Sequence, residues 1–187
     1  MNVGVYVSPE VAETWPAYQA AVVIAEGVRN GSSDEASERL LAAAERAVRE
    51  SGLERAAADP RIAAWRAVFS EFGSKPSRYP CSAESLLARV LKGDRLPRIN
   101  ALVDTYNAVS LRHVIPVGGE ALDELRGHLR LVRADDGEVV WRDDAGVTWR
   151  RWNWRQEPGR GSLTPPPGRS SSSTRWRRSV RMPRWTS

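Results

Sequence analysis

Pro97-Arg98-Ile99-Asn100-Ala101-Leu102-Val103-Asp104-Thr105-Tyr106-Asn107-Ala108-Val109-Ser110-Leu111 is the stretch on which the reading of this chain turns. Ile99, Leu102, Val103, Tyr106 and Val109 recur at the spacing that lines one side of a helix. Pro97 has no amide hydrogen and biases its predecessor away from helical backbone, so a helix is predicted just after it, over Ile99 to about Leu111. Asn100, Asp104 and Asn107 fall on or beside the stripe at spacings of four and three, hence on neighbouring faces. For Asn100 and Asp104 the expected role is capping or hydrogen bonding within the core.

Working upstream, Ser82-Ala83-Glu84-Ser85 starts a helix with Leu86, Leu87, Val90 and Leu91 inward. Gly73 to Pro80 is too rich in glycine and proline for regular structure. Pro60 opens a helix over Arg61 to Phe72, with Ile62, Trp65, Val68 and Phe69 at helical spacing. Ser33 or Asp34 caps a helix running to about Glu50, with Leu40, Leu41, Ala44, Ala47 and Val48 on one face, and Gly52 ends it. The β-branched run Ala20 to Ala25 reads as a buried strand, and Val3 to Val7 as a first strand. Downstream, Gly118-Gly119 makes a turn. Leu129 to Val132 and Val139 to Trp141 read as strands about the hairpin signal Asp135-Asp136-Gly137. Asp143 to Gly146 is another turn, and Val147 to Trp154 a further strand. Helices between early and late strands predict a mixed sheet with packed helices, of α/β or α+β class.

The formal charge of +5 misleads until it is located. Residues 157–187 carry seven arginines against Glu157 alone, a net of +6, while residues 1–156 carry 21 basic and 22 acidic groups, a net of −1. Global charge therefore gives the folded part no affinity for nucleic acid; only a local basic patch can do so. A single domain over residues 1–156 is expected, followed by a disordered basic tail over residues 157–187. Arg, Ser and Pro make up 19 of those 31 residues. With 26 arginines and two lysines the gene reads as GC-rich, and a frameshift in such a gene yields this composition. The tail is thus either an arm for RNA phosphates or a frameshifted end on a C-terminally incomplete domain. No apolar run approaches the roughly 20 residues of a membrane span, and the first residues lack the pattern of a signal peptide, so a cytoplasmic location without membrane contact is expected.

The stretch at 97–111, continuing through Pro116 and the Gly118-Gly119-Glu120-Ala121-Leu122-Asp123-Glu124-Leu125 run into Leu129 to Val132, resembles the tRNA-binding and editing B3/B4 module of bacterial phenylalanyl-tRNA synthetase β subunits. Upstream, the helix from Pro60, the Lys75-Pro76 loop and the helix from Ser82 resemble free-standing relatives of that module, so roughly residues 15–156 are covered. The resemblance implies tRNA or aminoacyl-tRNA as partner. It also implies hydrolysis of misacylated tRNA in trans, or, alternatively, non-catalytic binding of RNA or an amino-acid-like ligand. It excludes a complete phenylalanine-tRNA ligase, whose aminoacylation domain lies on another subunit. By position, Asn107 matches a pocket asparagine and Pro116 a pocket wall, with Gly118, Gly119 and Gln156 completing the implied substrate pocket. Gly118 stands where the synthetases carry a pocket histidine, and Gln156 falls near their tyrosine-recognising glutamate. A neutral amide there can hydrogen-bond but cannot act as a general base, so no catalytic residue is assigned.

For RNA, Arg98 and Arg112, beside His113, form one candidate patch. Arg150, Arg151 and Arg155, interleaved with Trp149, Trp152 and Trp154, form another, with the tryptophans serving either as stacking surfaces or as core. Two histidines and one cysteine, Cys81, are too few for a zinc site, and neither GxxxxGK[ST] nor GxGxxG occurs, so no metal or cofactor is expected. Cys81 has no visible base and reads as a buried thiol.

Overall fold

A computed structural model describes residues 3–134, 137 and 139–151. It is an α+β domain: β1 (Val5–Val7), α1 (Pro9–Thr14), α2 (Glu35–Glu50), α3 (Pro60–Glu71), α4 (Ser82–Leu91), α5 (Ala101–His113), β2 (Leu129–Arg133), β3 (Val139–Asp143) and β4 (Thr148–Arg151), with short 3₁₀ turns at Ala56–Ala58 and Leu122–Glu124. The four strands lie in sequence order. β1 pairs parallel to β2, Val5 opposite Leu129, and β2, β3 and β4 are antiparallel. Mixed pairing follows from connectivity: tight turns force antiparallel neighbours, whereas β1 reaches β2 only after all five helices.

Each long helix starts where its capping chemistry dictates. Asp34 accepts the Ser37 N–H at 2.8 Å while the Ser37 hydroxyl returns a bond to the Asp34 backbone, a reciprocal box on α2. Asp59 caps α3 ahead of Pro60, whose missing amide hydrogen would have had no partner anyway. α2, α3, α4 and α5 enclose one core that includes Leu41, Ile62, Phe69, Leu87, Val90 and Leu111. Full burial of a side chain such as Leu41, Ile62 or Phe69 stabilises the fold by about 1.5–3 kcal/mol. A second cluster, Val11, Trp15, Leu131 and Val139, joins α1 to the sheet, and Trp65 and Phe72 of the α3 region touch both.

Several expectations are corrected. Residues 20–25 form no strand; Val22 and Val23 are 48% and 79% exposed, and the sheet is completed by other segments. α1, a six-residue helix capped by Ser8, was not anticipated. On α2 the inward face is Ser37, Leu41, Ala44, Glu45 and Val48; Leu40 and Ala47 face out. α5 starts at Ala101, so Ile99 precedes it and is exposed, as is Val109, whereas Asp104, Asn107 and Ser110 are buried beside Val103, Ala108 and Leu111. Glu45, Asp104 and Ser110 are desolvated onto specific partners, so hydropathy alone misplaces them. The last strand is Thr148–Arg151; Val147 precedes it, and residues 152–154 of the expected strand and the tail lie outside the described residues.

Candidate functional site

The buried face of α5 carries a polar seam. Asn100 is the N-cap, its Oδ1 accepting the Val103 N–H at 2.9 Å. Asp104 is wholly buried; its Oδ1 accepts the Ile99 N–H at 3.0 Å, and its Oδ2 has no hydrogen-bond partner among the described residues. The Ser110 hydroxyl donates to the Ile115 carbonyl at 2.6 Å. These three side chains bond backbone within five residues of themselves, the role expected for Asn100 and Asp104. Asn107, 9% exposed, makes no side-chain hydrogen bond among the described residues.

α5 ends at Val114, a buried β-branched residue in left-handed backbone (φ 51°, ψ 48°) where glycine is usual. That conformation is unfavourable by about 1–2 kcal/mol. The Ile115 N–H donates back to the Ser110 carbonyl at 3.3 Å, so the loop 114–120 is pinned one turn from Asn107. Pro116 and Gly119 are half-buried on this loop and Gly118 is exposed. Asn107, Pro116, Gly118 and Gly119 thus lie along the second half of α5 and the loop leaving it, while Gln156 lies outside the described residues. Two surface hollows are prominent elsewhere. One runs along α3 and the loop 73–77, beside Arg66 and Lys75, and the other lies by Glu38, Arg95, Leu96 and Arg98. Neither is lined by Asn107 or Pro116.

The candidate basic residues do not converge. Arg98 precedes α5 and Arg112 lies in its last turn, so a 13-residue helix of about 20 Å separates them. Arg98 is committed elsewhere: Nη1 donates to Glu45 Oε1 at 2.7 Å and to the Leu96 carbonyl at 2.8 Å. Glu45 Oε1 also accepts the Leu96 N–H at 2.7 Å. Burial opposes the charge on Glu45, but the bonds from Arg98 and Leu96 outweigh it and hold the carboxyl below its ordinary range. Sequence reasoning missed Glu45; a glutamate between Ala44 and Ala47 on an inward face was the signal. Arg112 and His113 are exposed, and Arg61 joins that end by donating to the His113 carbonyl at 3.1 Å. Arg150 and Arg151 lie on β4, opposite Trp141 and Val140, and Arg155 lies outside the described residues. Trp149 is core, its indole N–H donating to Asp143 Oδ2 at 2.9 Å. Cys81 is buried as the N-cap of α4, and burial pushes its thiol up to about 11, which removes it as a nucleophile at neutral pH. Among the described residues no cluster of three or more His, Cys, Asp or Glu could hold a metal, and no helix is long and apolar enough to cross a membrane.

The class these features define is an α+β domain in which a helix with a polar inner seam feeds, through a proline- and glycine-containing loop, a meander of strands. Residues 64–157 match the B3/4 domain family, and the chain belongs to it. The same type of domain occurs in the phenylalanyl-tRNA synthetase β subunit. The matched span starts inside α3 and takes in α4, α5, the loop 114–120 and strands β2, β3 and β4, but not β1. No curated protein and no solved structure matches the chain.

Proposed function

We propose that this B3/4 domain is a tRNA-associated module that receives the aminoacyl end of a tRNA beside α5. The observation that carries the reading is Asn107. It is a nearly buried amide whose polar atoms are uncommitted, in a seam where its neighbours bond backbone. Residues 1–63 belong to the same unit in this reading, since α2 packs on α5 and β1 pairs with β2. In trans hydrolysis, water attacks the ester carbonyl, the bond from the carbonyl carbon to the ribose oxygen breaks, and that oxygen takes the proton lost by the water. Asn107 and nearby backbone amides would orient the carbonyl; a neutral amide supplies no base. The aminoacyl-tRNA itself supplies the remaining hydroxyls.

Gly118 in place of a pocket histidine favours a second reading, binding without hydrolysis. One assay separates the two. Full-length protein is mixed with tRNAs charged with tyrosine, phenylalanine and other amino acids, and both ester loss and retention on the protein are followed. Hydrolysis that Asn107→Ala slows tenfold or more supports the first reading. Retention without ester loss supports the second, and the absence of both hydrolysis and retention defeats both readings.

A further inference from the structure

The strand register brings four side-chain positions into one row across the sheet: Tyr6 opposite Arg130, Arg130 opposite Arg142, and Arg142 opposite Thr148. Alternation puts this row on the face turned away from Val5, Val7, Leu129 and Leu131, which pack inward. Tyr6 is 48% exposed although it is aromatic and in a strand. Its ring is built in from several sides. The Arg130 guanidinium lies over it, 5.1 Å from the centroid, and the His128 ring meets it edge-on at 5.3 Å. Gly4, two residues earlier on the same face, leaves the room: a Cβ there would lie 2.5 Å from the phenol ring. His128 is itself fixed, its Nδ1 accepting the Gly4 N–H at 3.0 Å. Asp144 accepts the His128 N–H at 2.8 Å and Arg130 Nε at 3.1 Å. Arg142 Nε donates to the Thr148 hydroxyl at 3.4 Å, and no carboxylate pairs with Arg142 among the described residues. Two guanidinium groups against one carboxylate give this end of the face a net positive charge, in a folded part that is otherwise near neutral. Toward the far end of the same face Val140 is buried.

We infer that this end of the sheet is a docking surface for single-stranded RNA, with an unpaired base stacking on the Tyr6–Arg130 pair and phosphates on Arg142 and Arg130. A half-exposed ring beside one guanidinium, with a second in the same row across the sheet, suits a π-face and an anionic backbone together. A duplex keeps its bases stacked internally and offers none to the ring. The inference deepens the tRNA reading by naming an unpaired segment as what this second surface holds, and rests on that reading for the choice of RNA.

The test is fluorescence anisotropy with a labelled 12-nucleotide RNA of mixed sequence, single-stranded or annealed to its complement, against the full chain at several salt concentrations. Tyr6→Leu should weaken single-strand binding roughly 5- to 150-fold, the range for losing one stacked base. Tyr6→Phe should retain it. Gly4→Ala, which keeps the tyrosine but displaces its ring, should fall between them. Arg142→Gln should lower the slope of log affinity on log salt by about 0.7, the share of one phosphate contact on a single strand. Thermal melts of each variant verify folding. Equal affinity of wild type and Tyr6→Leu, both folded, would overturn the inference, as would equal affinity for duplex and single strand. The oligonucleotide carries no aminoacyl group, so failure here leaves the Asn107 assay untouched, and the converse holds.

Discussion

Two arginine–carboxylate pairs sit in opposite environments of this molecule. Arg98 and Glu45 meet at 2.7 Å with side chains 17% and 2% exposed; Arg130 and Asp144 meet at 3.1 Å with side chains 46% and 38% exposed. The buried pair fixes architecture: it ties α2 to the segment before α5 and satisfies the Leu96 amide. The exposed pair holds little together but orders a guanidinium against a ring. The same two functional groups become a structural clamp or a presented surface according to how much water they keep.

The sharpest way to break the comparison is Glu45→Ala. It strands a buried guanidinium and the Leu96 N–H, and should lower unfolding free energy by about 3–5 kcal/mol in urea titration. Glu45→Gln, which keeps an acceptor, should cost clearly less; if both variants unfold at the wild-type midpoint, the clamp is idle. Next is Asp143→Ala in the β3–β4 turn. Asp143 Oδ1 accepts the Ala145 and Val147 amides at 3.0 and 2.9 Å, and Oδ2 holds the Trp149 indole. Its loss should destabilise by about 2–4 kcal/mol, with a shifted tryptophan emission as the local readout.

Acid tests the buried pair together with the β3–β4 turn. For Glu45 and Asp143 burial opposes ionisation, yet hydrogen bonds outweigh it and hold both below their ordinary values of 4.5 and 3.8. The unfolded chain therefore takes up these protons first. The stability they contribute is complete above those values and is lost as pH falls through the lower values of the folded state. Urea midpoints measured from pH 7 to pH 3 should drop below about pH 4.5, less steeply in Glu45→Gln. Smallest of all is Asp144→Ala, expected to leave the urea midpoint nearly unmoved while weakening single-stranded RNA binding a few-fold, because Arg130 loses the carboxylate that orders it against the Tyr6 ring. A large loss of stability there would mean that exposure does not separate the two pairs.

Much of the helical half was legible because its boundaries are written in side-chain chemistry. Asp34, the Asp59-Pro60 pair and Asn100 each supply what a helix start lacks. The inward face of α5 was not legible. Asp104 and Ser110 bond backbone at positions 99 and 115, and a polar residue satisfied locally looks the same in sequence as one meant for water. Val22 and Val23 misled in the other direction, since β-branched residues favour strands but do not say whether a partner edge exists. Asn107 is a candidate only through the resemblance to the synthetase module. The Tyr6 surface was not, because its meaning depends on Arg130 and His128, which the fold brings alongside from far down the sequence.

The pairing of β1 with β2 joins residues 124 apart, as the bond from Gly4 to His128 shows. During synthesis at 5–20 residues per second, β1 leaves the ribosome roughly 6–25 s before its partner strand exists. Until then Tyr6 has no Arg130 over its ring, and the three-residue strand has no neighbour to zip onto. The Tyr6 corner of the sheet is therefore a late product of folding, assembled only once β2 has been made, and a nascent chain halted before residue 129 would carry the tyrosine without the surface.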